Sequence, residues 1–501
     1  MNNKSTKNGI KNIICGIGGQ LIILLLGLII PRLVISNYGS DTNGVINTIS
    51  QIFIYLSLLE AGIATSARNA LYRPVKDNDK EEISNIMSMA KTYYRKVSIL
   101  YACIVVALGF TLPFILKTEV NYWVIFFIIL FDGATNVVSF FFIQKWTVFL
   151  NVVGKNYVVN IVSVIYKTMC SVFKIIMTLL CVNIVYIEAG YFILSLIQLC
   201  LYYTYMKKNY AWINYSTEHK NDKFPDRNYF IITEVAWTVF SSTDMIILSI
   251  FLSTTYSSVY AVYSMVFVAI NGLLTNAYQS VTYVLGQKYN QGIKKYCKVH
   301  DLFNSFFMSA ITILMSVTYW LIIPFVKLYT KGITDTNYIY EWLPLLFCMV
   351  QILSWSRYLS GNLSGIAGYA KHTSIVSLAE MVTNIVLSLI LVKKFGITGV
   401  LFATVIALPL KIVYLFYLSE KVIMKRKPNK SISVLLVNYF IFAITVVINK
   451  CTVLKINNFG NFLLYGLILL TVYSVLVFFA NSVVNNDLFK LISKILKRKA
   501  A

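Results

Sequence analysis

The chain has 501 residues, 58% of them hydrophobic and 13% charged, with a mean hydropathy of +0.70. This is the profile of a polytopic membrane protein rather than a soluble domain. The formal net charge of +24 sets 44 Lys and Arg against 20 Asp and Glu, but no soluble segment is large enough to fold, which argues against nucleic acid as a partner.

About 20 apolar residues at ~1.5 Å rise cross a ~30 Å hydrocarbon core. Fourteen runs meet that length: 10–35, 44–70, 93–117, 120–144, 156–182, 184–206, 228–252, 256–285, 301–327, 338–361, 372–392, 397–419, 432–450 and 460–482. The first is too long for a signal-peptide apolar region and reads as a retained helix. With a cytoplasmic N-terminus, 32 Lys and Arg fall in inner loops or termini and seven in outer loops. That asymmetry predicts both termini inside and an even number of spans. Between the second and third runs, Arg73–Ala90 reads as an amphipathic helix along the inner surface or as a solvated connector.

The chain resembles itself at long range. Gly154, followed by Asn160 and Ser163, is matched by Gly368, followed by Ser374 and Ser377, at an offset of 214. Leu112-Pro113-Phe114 is matched by Ile323-Pro324-Phe325 at an offset of 211. The predicted architecture is all-α: two six-helix lobes in parallel repeat plus two C-terminal helices. The lobes are 1–206 and 228–419, joined by a cytoplasmic linker at 207–227 and followed by a helix pair and basic tail at 420–501. Parallel repeats of this kind occur in transporters, where the substrate site lies between the halves.

The fifth run carries Asn160, Ser163, Lys167, Ser171, Lys174 and Thr178 at steps of 3, 4, 4, 3 and 4. At about 3.6 residues per turn these six share one face. A charge at bilayer depth is costly, so the two lysines should face protein or water. The spacing predicts a cationic stripe lining a cavity, with pairing to a neighbouring acid as the alternative. Glu234, Trp237, Ser241 and Asp244 form a second stripe in the seventh run, and Asn271, Thr275, Tyr278, Gln279 and Thr282 a third in the eighth. Glu60, Asp132, Glu188, Arg357, Glu380 and Lys411 complete the intramembrane charges, with Arg32 near an outer helix end. Arg32, Arg357 and Glu188, near span ends, read as side chains that can simply snorkel.

Enzyme and metal patterns are absent from the sequence. There is no H-x-x-x-H or H-E-x-x-H arrangement, and the eight cysteines form no C-x-x-C pair. Neither a metal nor a cofactor is therefore expected, and the chain does not read as an enzyme.

LIIPRLVISNYGSDTNGVINTISQI, LLEAGIATSARNALYRP and NIVSVIYKTMCSVFKIIM resemble the first, second and fifth helices of the Wzx-type oligosaccharide flippases. These belong to the superfamily that also holds lipid II flippases and MATE multidrug exporters. The resemblance implies a bacterial inner-membrane protein for surface polysaccharide (O-antigen or capsule) biosynthesis. It would move an undecaprenyl-pyrophosphate-linked oligosaccharide between leaflets by alternating access. Lys167 and Lys174 would hold the pyrophosphate, with Arg32 as an exit contact, and Trp237, Tyr278 and Gln279 would contact sugars. Proton or sodium coupling would run through Glu60, Asp244 or Glu380, and polymerase or assembly proteins would be partners. A MATE-like drug or metabolite exporter is the second reading, and a non-transporting scaffold of a polysaccharide assembly complex the third.

Overall fold

The computed structural model describes residues 3–60, 63–215, 227–452, 454 and 456–488, and the regular elements among them are all helical. Most of the linker (216–226) and the basic tail (489–501) lie outside the described residues. In chain order the helices are α1 (Asn3–Ser57), α2 (Ile63–Asp77), α3 (Lys80–Ile115), α4 (Tyr122–Val138), α5 (Gln144–Val152), α6 (Asn156–Leu179) and α7 (Ile184–Tyr210). They continue with α8 (Arg227–Phe251), α9 (Thr254–Asn290), α10 (Ile293–Tyr329), α11 (Trp342–Ser356), α12 (Tyr358–Ile366), α13 (Ala370–Phe416), α14 (Asn429–Cys451) and α15 (Phe459–Val484). A 3₁₀ turn at Leu58–Glu60 separates α1 from α2, and π-helical segments at Ser139–Ile143 and Tyr417–Ile423 interrupt or extend others. Ten helical stretches among the described residues are long and apolar enough to cross a membrane. Kinks at Gly39 and Gly396 divide α1 and α13 into two spans each, and α11 and α12 form one span broken at Arg357. Read this way, the helices are consistent with the fourteen runs in the sequence.

The repeat is written into the backbone. Residues with positive φ recur as Asn78 and Gly292, Gly154 and Gly368, and Cys181 and Gly396, at offsets of 214, 214 and 215. Each member closes one helix and opens the next: α2 to α3 and α9 to α10, α5 to α6 and α12 to α13, α6 to α7 and the two halves of α13. Such φ values crowd Cβ against the neighbouring carbonyl, which explains why four of the six positions are glycine. The succession span, interrupted span, turn, span is thus the same in α4–α6 and in α11–α13.

The surface helix expected at Arg73–Ala90 is not a single element. Asn78 turns the chain, and the Asp79 side chain accepts from the Glu82 backbone N–H at 3.0 Å, capping α3. Ile83, Ile86 and Met87 then bury against Leu71, Trp146 and Phe149. Residues leading into the linker are held on this inner core too. Tyr215 accepts from Trp146 Nε1 at 3.1 Å and from Ser88 Oγ, on its carbonyl, at 2.9 Å.

Two compact units divide at Ser258 and Val259. In the first, α8 groups with α1 rather than with the segment 228–419 expected to hold it. Helices α1 and α8 pack together and are joined by side-chain hydrogen bonds. Thr48 and Ser249 hydroxyls meet at 2.5 Å, Asn43 Nδ2 donates to Ser258 Oγ at 2.7 Å, and Lys117 Nζ donates to the Phe251 carbonyl at 2.7 Å. Gly44 permits the approach, since a Cβ there would lie 1.7 Å from the Thr254 carbonyl oxygen. In the second unit α10 is central, flanked by α11, α14 and α15. Trp320 Nε1 donates to the Tyr473 hydroxyl at 3.0 Å, and Asn438 and Asn481 exchange side-chain hydrogen bonds of 2.9 and 3.2 Å.

Candidate functional site

The polar stripe on α6 changes character along its length. Lys167 is exposed, Asn160, Ser163 and Ser171 are half-buried, and Lys174 and Thr178 are buried. Lys167 is the twelfth residue of a 24-residue helix, so at about 1.5 Å per residue it sits near mid-span. It makes no ion pair with any described residue. An exposed ammonium at that depth cannot lie stably against hydrocarbon, and so requires water or a polar ligand.

Lys174 is different. It is 7% exposed, its Nζ donates to Glu188 Oε1 at 3.3 Å, and it lies 5.2 Å from the centre of the Tyr191 ring. Asp132 on α4 is electrostatically coupled to both. Lys174 is therefore a buried ammonium paired with Glu188, with Asp132 adding a second acidic field. This corrects the expectation that both lysines face one passage, and Glu188 is an internal partner rather than a snorkelling end.

On α8 the stripe also runs from exposed to buried, from Glu234 and Trp237 to Asp244. Tyr55 of α1 packs beside its buried end, hydroxyl to Thr243 Oγ1 at 2.5 Å. Arg32 is half-buried on α1, seven residues before the Gly39 kink, and its carbonyl accepts from Ser36 Oγ at 2.5 Å. Helix α1 packs on both α6 and α8, so Arg32 lies on the helix between the two stripes. Glu60 occupies the 3₁₀ turn at the other end of that helix.

In the second unit the expected residues are mostly engaged. Glu380 is buried against Arg357, with Lys411 Nζ 3.8 Å from its other oxygen. Glu380 therefore already holds two cations, and Arg357 is a buried partner, not a snorkelling one. The Tyr278 hydroxyl donates to the Tyr358 carbonyl at 3.0 Å, and its ring meets Phe307, Trp355 and Tyr358 edge-on. That is a packing position, which corrects its expected sugar contact. Gln279, one residue on, is exposed.

One network escaped the sequence entirely. Arg426 donates to both oxygens of Asp301, at 2.9 and 2.5 Å, and to Glu420 at 2.7 and 3.2 Å, while Ser431 also donates to Glu420. Burial would lower the pKa of this guanidinium, but the hydrogen bonds to Asp301 and Glu420 outweigh it and hold the value above its ordinary level. The pair Asp301 and Arg426 is 125 residues apart, and no local pattern announces it.

No family model matches the chain, and no curated protein matches it. Solved structures do. The lipid II flippase MurJ in its inward closed conformation superposes with a TM-score of 0.68 at 16% identity, covering 95% of this chain and 100% of that one. An inward-facing multidrug resistance MATE family transporter of the MOP superfamily gives 0.63 at 12% identity, covering 88% and 99%. The MATE multidrug transporter DinF-BH gives 0.60 at 16% identity, covering 85% and 97%. The chain is a multi-pass helical membrane protein with the fold of these transporters.

Proposed function

We propose that the chain is a flippase for an anionic lipid-linked oligosaccharide, carried on undecaprenyl pyrophosphate from the inner to the outer leaflet by alternating access. The observation that carries this reading is Lys167: mid-span, exposed, and in no ion pair with a described residue. Among the in-span cations of the described residues, Lys174 is paired with Glu188, and Arg357 and Lys411 share Glu380, whereas Lys167 makes no ion pair with a described residue and is the ammonium we assign to the pyrophosphate. An ammonium is a good point-charge partner for phosphate, and low-dielectric walls strengthen the attraction. Arg32 extends the positive path along α1, and Trp237 offers an exposed indole face for sugar. Gradient coupling, by proton or sodium, falls to Asp244 on this reading, because Glu380 is already held by two cations.

The test is genetic. In cells whose surface polysaccharide depends on this protein, Lys167→Gln abolishes export at an unchanged protein level, and Lys167→Arg keeps part of it. Full export by the Gln variant overturns the role. The MATE structures favour a second reading, export of a smaller ligand, which predicts drug resistance in an expressing strain and no effect on polysaccharide.

A further inference from the structure

Three consecutive elements of the first unit each place a buried polar atom that has no hydrogen-bond partner among the described residues: Glu60 Oε2 in the 3₁₀ turn, Arg68 Nε on α2 and the Tyr94 hydroxyl on α3. Tyr94 is 0% exposed, packs against Leu59, and lies in the fields of both Glu60 and Arg68. Helix α8 packs on the same turn and brings Glu234 within electrostatic reach of Glu60. One turn further along α8, Trp237 is 44% exposed.

Buried polar groups are nearly always satisfied, most stringently near hydrocarbon. Three such groups on adjoining elements offer hydrogen bonds that one ligand could meet together. Their chemistry narrows it. A carboxylate accepts, a guanidinium donates and a phenol does both, so the partner must offer hydroxyl donors and oxygen acceptors close together. Phosphate lacks the donors and would be repelled by Glu60 and Glu234. An ammonium lacks the acceptors and would leave Arg68 unmet. A sugar ring has both, together with an apolar face for an indole.

We infer that Glu60, Arg68 and Tyr94, flanked by Trp237, form a subsite for a hydroxyl-rich sugar ring. The inference rests on the flippase reading and deepens it: the glycan docks at the break after α1, apart from the pyrophosphate at Lys167. It gives Glu60 a recognition role in place of the ion coupling expected from sequence.

The experiment measures binding to the purified full-length protein of two probes, undecaprenyl pyrophosphate and the same lipid bearing one N-acetylhexosamine. Wild type should bind the sugar-bearing lipid at least tenfold more tightly. Tyr94→Phe and Glu60→Gln should each remove at least fivefold of that preference and leave the sugar-free lipid unchanged. Lys167→Gln should weaken both lipids alike. Because the Tyr94 hydroxyl has no partner among the described residues, its removal should not lower the thermal unfolding temperature. An unchanged preference in both subsite variants overturns this inference alone. Failure of wild type to bind either lipid overturns the flippase reading and the subsite with it.

Discussion

The Lys174 ammonium lies 3.3 Å from a carboxylate oxygen of Glu188, and both side chains are buried. Removing one partner of such a pair strands the other charge, at a cost of about 3–5 kcal/mol, whereas replacing both with apolar groups is often neutral. Lys174→Met should therefore sharply lower the unfolding temperature of the purified protein, and Lys174→Met with Glu188→Leu should recover most of it. A single variant as stable as wild type would contradict the pair.

Glu380 makes the same point in the second unit. Glu380→Gln should strand both Arg357 and Lys411 and destabilise by about 3–5 kcal/mol, and Arg357→Met with Glu380→Gln should recover only part of that loss, since Lys411 still lacks its carboxylate. Transport by the double variant should keep its dependence on the driving gradient. Loss of that dependence would return Glu380 to the coupling path.

The positive-φ turns give a paired prediction. At Cys181, φ is 54°, while its repeat counterpart Gly396 has 59°. A left-handed residue with a Cβ costs roughly 1–2 kcal/mol, so Cys181→Gly should raise stability by up to about 1 kcal/mol. Gly154→Ala and Gly368→Ala should each lower it by a similar amount. Thermal unfolding of the three variants checks the sign.

Asn438 and Asn481 join α14 to α15 through two side-chain hydrogen bonds. Buried polar contacts between membrane helices are worth about 1–2 kcal/mol at most. Asn438→Leu should cost that much, and adding Asn481→Leu should restore it. Additive losses in the double variant would show that the two residues act separately.

The fold was legible because its determinants are local. Apolar length marks a span, and Gly154 and Gly368, each followed by the same polar spacing, mark the repeat in the sequence; both prove to be positive-φ turns. The charges were legible only as faces. A helical period places Lys167 and Lys174 on one side of α6, but it cannot say that the upper part of that side meets Glu188. Partners across a turn or between distant helices, such as Arg357 with Glu380 or Asp301 with Arg426, are set by packing that no sequence spacing encodes. Arg73–Ala90 misled for the opposite reason: one helical period ran through Asn78, whose turn divides the segment and buries half of it.

The most direct measurement is flipping by the purified protein in sealed vesicles, read as the rate at which a lipid-linked oligosaccharide becomes accessible on the far leaflet. Wild type should transfer the cargo, Lys167→Gln should reduce the rate at least tenfold, and Lys174→Met with Glu188→Leu should remain close to wild type. Equal rates for Lys167→Gln and wild type would contradict the claim that an uncompensated mid-membrane ammonium holds the pyrophosphate.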